Sequence, residues 1–277
     1  MKKRFLFLLC LMIHHTGYGM NYVKRLFSTI EDHGIAQNDQ GSKEIKFIYM
    51  GQEPDIKQIT FQLIAAAKDP LIKGIIVLIS NGGGSLASYS MLHDTIKKIC
   101  SFKPVVAVIT RAFSAGYIVA SAADYIIAHR CAEIGSIGVI LEIKHFKNPL
   151  IQQDGIETEF TSTLFKGGEF KDIYHAYGRG ELSEKERAYL QQNVETSYAE
   201  IVSLIAENRL LNKNNAEDWA NAKTFIAHEA LALGLIDQIG TLFDAEEKII
   251  ELLSNETYMP YARNSITYSF CEGEDEF

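Results

Sequence analysis

"PVVAVITRAFSAGYIVASAAD" runs from Pro104 to Asp124 and joins an apolar run of strand length to a segment of small residues. Val105 to Ile109 show no polar alternation, the pattern of a strand covered on both faces. The segment after Ser114 reads as a buried helix. Ser114 therefore stands at a strand-to-helix turn, where free N–H groups and the helix dipole favour negative charge. Its setting, Ala112-Phe113-Ser114-Ala115-Gly116, has the small neighbours of a G-x-S-x-G nucleophile elbow. Small residues serve close helix packing equally well, and this stretch alone leaves both readings open.

The pattern repeats outward along the chain. "EIKFIYM" (44–50) reads as a strand, and "DIKQITFQLIAAAKD" (55–69) places Ile56, Ile59, Leu63 and Ala67 at helical spacing. "KGIIVLIS" (73–80) is a second doubly covered strand, followed by "NGGGS" and a helix from about Leu86 to Cys100. "YIIAH" (125–129) and "GVILEI" (138–143) read as short strands. Strands alternating with helices predict an α/β fold on a mainly parallel sheet. Ligands of such sheets bind at the carboxyl ends of the strands, where both "NGGGS" and "RAFSAG" fall.

The later part is more helical. "LSEKE" (182–186) forms a capping box, with Ser183 as cap and Glu186 three residues on. Leu190, Val194, Tyr198, Ile201 and Ile205 follow as an apolar stripe suited to core or subunit contact. "AHEALALGLIDQIG" (227–240) reads as helix, glycine stop and short strand, and "DAEEKIIELL" (244–253) as a closing helix.

Composition narrows the class. A net charge of −8 with no basic stripe argues against nucleic acid as a partner. Lys2, Lys3 and Arg4 precede the apolar run Phe5 to Ile13, and Gly17-Tyr18-Gly19 offers a small-x-small cleavage site. That run would extend about 14 Å as a helix, short of the ~30 Å hydrocarbon core. Residues 1–19 thus read as a signal peptide or short membrane anchor, 20–43 as a linker, 44–254 as the main domain and 255–277 as an acidic tail. Export is expected, to the periplasm or the outer face of the inner membrane. Cys10 lacks the lipobox setting. The widely spaced Cys100, Cys131 and Cys271 suit neither a disulfide framework nor a metal site, and no metal or cofactor is expected.

Gly82-Gly83-Gly84 could be a plain tight turn or could aim an N–H at a carbonyl oxygen; the phosphate-loop and dinucleotide patterns are absent. Ser114 needs a base. His93, His129 and His145 read as structural, and no serine lies three residues before a lysine. "LFKGGEFKDIYHAYG" (164–178) sets Lys166 and Lys171 among aromatic and aliphatic residues, where burial would lower a lysine's pKa.

Residues 44 to about 253 resemble the signal peptide peptidase A family of serine–lysine peptidases, carried by five motifs in order. "ISNGGGSLAS" is similar to the family's "NSPGG" loop, with Asn81 where proline is usual, and "FSAGYIVASAAD" to "ASGGYYIAxAAD", with Ala115 for the first glycine. "GSIGVI" (135–140), "KGGEFKD" and "EALALGLIDQIG" complete the set. The resemblance implies a ClpP/crotonase-like fold, with repeated β-β-α units, a mainly parallel sheet and packed helices. It implies Ser114 as nucleophile, Lys171 as general base, Ser136 orienting that lysine, and the N–H groups of Gly83 and Ala115 as oxyanion hole. It also implies ring- or dome-shaped homo-oligomers whose subunits share sites, acting near the membrane on hydrophobic peptides such as signal peptides.

Three other readings belong beside this one. A ClpP-like Ser-His-Asp peptidase would want a histidine near Val139, where none stands. A crotonase-type acyl-CoA enzyme needs neither Ser114 nor Lys171. A catalytically inactive scaffold or binding protein would have no reason to keep Ser114, Ser136 and Lys171 together.

Overall fold

The computed structural model describes residues 44–143, Phe170, Ile173 and residues 181–254. The expected signal segment, linker and tail lie outside these residues, as do Lys166, Lys171, His145, Cys10 and Cys271.

Four parallel strands make the centre: β1 (Glu44–Met50), β2 (Ile72–Asn81), β3 (Val105–Phe113) and β4 (Tyr125–Gly135), adjacent in that order. Between them run α1 (Ile56–Lys68), α2 (Leu86–Cys100) and α3 (Ala115–Ser121). After β4 come α4 (Glu184–Arg209), a 3-10 turn (Lys213–Asn215), α5 (Ala216–Trp219), β5 (Thr224–Ile226), α6 (Ala227–Ala232), β6 (Gln238–Ile239) and α7 (Leu242–Ser254). β5 pairs antiparallel with the end of β4, and β6 pairs parallel with its beginning.

The doubly apolar strands are explained by two cores. In β2, Ile75, Val77 and Ile79 enter one cluster with α1, α2 and α3, while Ile76 faces a second with α7. In β3, Val105, Ala107 and Ile109 divide in the same way from Val106 and Val108. Alternate side chains point to opposite faces, so both must be apolar when helices cover both. Truncating one of these isoleucines to alanine costs about 2–5 kcal/mol.

The helix ends follow their sequence signals. Asp55 caps α1 by accepting the Gln58 N–H at 2.9 Å. Ser183 and Glu186 form the expected capping box at the start of α4. In the stripe that follows, Leu190, Ile201 and Ile205 are buried and Val194 and Tyr198 half-buried. Gly234, with φ 75°, stops the α6 segment as its sequence suggests.

Two expectations need correction. β4 continues past "YIIAH" through Arg130 and Cys131 to Gly135. "GVILEI" (138–143) is not a strand: Gly135 (φ 115°) and Ser136 (φ 49°) turn the chain out of the sheet, leaving Ile140 and Leu141 exposed. Among the described residues no helix is long and apolar enough to cross a membrane.

Candidate active site

Three strands end together. Asn81 of β2 is in register with Ala112 of β3, and Phe113 with Gly135 of β4. The residues that follow, Gly82 to Gly84, Ser114 and Ser136, therefore share the carboxyl edge of the sheet.

Ser114 has φ 50° and ψ −124°, a conformation rare for a residue with a side chain. Such strain costs on the order of 1–3 kcal/mol and persists only where its surroundings enforce it. Here the Ser114 N–H donates to Gly135 O at 2.8 Å, and its own carbonyl accepts the N–H groups of Tyr117 and Ile118. The hydroxyl lies 3.5 Å from Gly138 O, too long for a strong bond.

The glycine turn presses on Ser114 from the β2 side. Gly83 has φ 98°, and a Cβ there would lie 3.0 Å from Ser114 Cβ and 3.1 Å from Phe113 O. Its carbonyl accepts the Tyr89 hydroxyl at 3.1 Å. Burial raises the pKa of Tyr89, a shift its hydrogen bond with Asn81 opposes. The Gly83 N–H donates to Asn81 Oδ1 at 2.8 Å. Ala115 is buried and opens α3, so its N–H has no intrahelical acceptor.

On the β4 side, the Ser136 N–H donates to Lys223 O at 2.7 Å. β5 packs so closely that a Cβ on Gly135 would fall 2.6 Å from Lys223 O. The structure thus brings Gly83, Ser114, Ala115 and Ser136 to one edge. Lys171 lies outside the described residues, but residues near it are placed. The Phe170 ring stacks on Tyr189 with centroids 4.7 Å apart, and Ile173 is fully buried.

Other titratable groups have structural partners. His93 is buried between Asp94 (Nδ1 to Oδ1, 2.9 Å) and Asn208 (Nε2 to Nδ2, 2.6 Å), and burial lowers its pKa. His129 Nδ1 accepts the Cys131 N–H. Lys103 is buried with a lowered pKa, but Ala66 O and Asp69 O hold its ammonium. It precedes β3, at the edge opposite Ser114. Cys100 and Cys131 are free thiols, and burial pushes Cys100 well up. No group of residues able to hold a metal occurs among the described residues.

A support that sequence reading missed lies beneath α3. The Tyr117 hydroxyl donates to Leu235 O at 2.6 Å. Arg209 makes a bidentate pair with Asp237 (3.0 and 2.7 Å), whose Oδ2 also accepts the Ile126 N–H at 2.7 Å. Burial raises the pKa of Tyr117, a shift that Arg209 opposes and Asp237 reinforces. The only sequence signal for this support is the position of Asp237 in "GLIDQIG".

The crossover order fits a ClpP/crotonase-like α/β fold, and a family match makes the chain a serine-type peptidase. Residues 97–255 match Peptidase family S49. The chain belongs to that family. It is 30% identical over 217 residues to "Putative protease MJ0651" of Methanocaldococcus jannaschii, covering 77% of this chain and 68% of the relative. It is 27% identical over 190 residues to "Putative signal peptide peptidase SppA" of Enterococcus faecium, covering 68% of this chain and 53% of the relative. Identity to "Protease 4" of Haemophilus influenzae is 25% over 191 residues, 68% of this chain but 30% of that protein.

Proposed function

We propose that the chain is a serine endopeptidase with a Ser114/Lys171 dyad, acting outside the cytoplasm on signal peptides or other short hydrophobic peptides. The observation that carries this reading is the backbone of Ser114, held at φ 50° against Gly83 at the carboxyl edge of the sheet.

In this mechanism neutral Lys171 Nζ accepts the Ser114 hydroxyl proton as Oγ attacks the scissile carbonyl carbon. The carbonyl π electrons move to oxygen, and the oxyanion is met by the N–H groups of Gly83 and Ala115. Lys171 then protonates the leaving amine as the C–N bond breaks, leaving an acyl-serine. Water attacks that ester, giving its proton to Lys171, which returns it to Ser114 Oγ as the acyl C–O bond breaks and the carboxyl product leaves. Ser136 orients the lysine.

The apolar character of the substrate is supported by Ile140 and Leu141, exposed on the segment that leaves Gly138 beside Ser114. Export is supported by the basic n-region and the Phe5–Ile13 run, and a signal-peptide role by the name of the Enterococcus relative. We place the protein in ring- or dome-shaped homo-oligomers near the membrane, where Lys171 of one subunit serves Ser114 of the next. The test is hydrolysis of a hydrophobic fluorogenic peptide by wild type, Ser114→Ala and Lys171→Ala. Loss in both variants is expected; equal cleavage by all three would remove the dyad. Sizing of the active species tests the assembly, and full activity in a monomer would overturn shared sites.

A further inference from the structure

Asn81 is fully buried, and its amide is hydrogen-bonded at both ends. Nδ2 donates to Gly51 O at 2.7 Å, and Oδ1 accepts the Gly83 N–H at 2.8 Å. The partners fix the amide's orientation, since Gly51 O can only accept and Gly83 N can only donate. Gly116 leaves the side chain no slack: a Cβ there would meet Asn81 Oδ1 at 2.8 Å. The donor proposed for the oxyanion hole is therefore already spent on a side chain of its own loop. A backbone N–H has one proton to give, and a bond made to Asn81 is not made in full to a substrate oxygen.

The loop is built to let that proton change partners. The peptide carrying the Gly83 N–H lies between two glycines, Gly82 and Gly83. Glycine takes positive and negative φ with similar ease, so this peptide can rotate with little strain. The next peptide is anchored, because the Gly83 carbonyl accepts the Tyr89 hydroxyl. Asn81 is anchored too, through Gly51. What can turn is the single peptide between those anchors.

We propose that Asn81 is a positioning residue that holds the Gly82–Gly83 peptide in a resting orientation, and that the acyl transition state forms only when the Gly83 N–H passes from Asn81 Oδ1 to the substrate oxygen. This rests on the reading of Ser114 as nucleophile. A peptide substrate that fills the site supplies the competing acceptor, and a developing oxyanion is a stronger one than a neutral amide oxygen. The resting enzyme is thereby kept from presenting a complete oxyanion hole to water or to poorly seated acyl groups.

The first test is a crystal structure of the full wild-type chain with a peptide aldehyde added to Ser114. In the adduct, Gly83 N is expected within hydrogen-bond reach of the hemiacetal oxygen and away from Asn81 Oδ1, with the Asn81–Gly51 bond kept. A Gly83 N–H still on Asn81 Oδ1 in the adduct overturns the inference. Failure of the aldehyde to add to Ser114 strikes instead at the nucleophile, and the inference falls with it. The second test is kinetic. Asn81→Ala removes the competing acceptor and is expected to raise kcat on the order of threefold to tenfold with KM little changed. A purely structural Asn81 would lose kcat on truncation, so a kcat in Asn81→Ala at or below that of wild type overturns the proposal.

Discussion

Ser114 and Ser136 each follow one member of the registered pair Phe113 and Gly135, and both have positive φ, 50° and 49°. Two neighbouring parallel strands are thus each followed by a serine with positive φ. The Ser114 N–H binds the carbonyl of Gly135, the residue just before Ser136. The relative placement of the two hydroxyl-bearing residues is therefore fixed by backbone, independently of side-chain rotamer.

On the proposed dyad, removal of the Ser114 hydroxyl is expected to lower peptide hydrolysis by about 10³-fold or more. Ser114→Ala should also resist covalent labelling by a fluorophosphonate while its circular dichroism stays native. Undiminished labelling would place the nucleophile elsewhere.

At Gly83 both φ and space forbid a side chain. Gly83→Ala should cost about 1–2 kcal/mol of stability and at least about a hundredfold in kcat/KM, since the added methyl displaces Ser114. Urea unfolding and peptide kinetics on the same preparation separate the two effects. Native kinetics would show that the turn does not bear on the serine.

Ser136→Ala tests the orienting role. If the Ser136 hydroxyl donates to neutral Lys171, its loss favours the protonated lysine. The acid limb of the kcat/KM profile should then move to higher pH, on the order of half a unit to one unit. An unmoved limb with reduced kcat would leave Ser136 a backbone role only.

His93 links stability to pH. Burial holds its folded pKa below the ordinary 6.5, against the raising effect of Asp94 and with the help of Lys97. A depressed histidine binds fewer protons folded than unfolded, so its contribution is complete above the unfolded value. It is lost as pH falls from there through the folded pKa, while Asn208 still faces Nε2. Chemical denaturation from pH 8 to pH 4 should show this slope, and His93→Gln should flatten it. An identical slope in the variant would assign the effect to other groups.

Asp237→Ala strands the Arg209 guanidinium, whose side chain is 9% exposed, and the Ile126 N–H. Breaking one side of such a pair costs about 3–5 kcal/mol. The thermal midpoint should fall by several degrees, and replacing both Arg209 and Asp237 by apolar residues should recover part of the loss. Equal midpoints in wild type and the single variant would reduce the pair to a surface contact.

Much of the sheet was legible because a strand buried on both faces must be apolar throughout, as Ile75 to Ile79 and Val105 to Ile109 are. Helix boundaries followed Asp55, Ser183 and Gly234, whose roles are local. The far half of β4 was hidden because exposed Arg130 and Cys131 interrupt the apolar run that marks its first half. "GVILEI" misled for the opposite reason: its apolar residues lie outside any sheet. Ser114, Gly83 and Ser136 were placed by motif, and the strand register explains why they converge. Asn81 looked like a departure from a proline pattern. Its bonds to Gly51 and Gly83 depend on neighbouring loops, which no local pattern encodes.

The bond from Tyr117 to Leu235 closes a span of 118 residues, and Asp237 closes another of 111 to Ile126. Contacts so distant in sequence form late compared with local helices. The helix that fixes Ser114 thus lacks its floor until the chain has been made through Asp237.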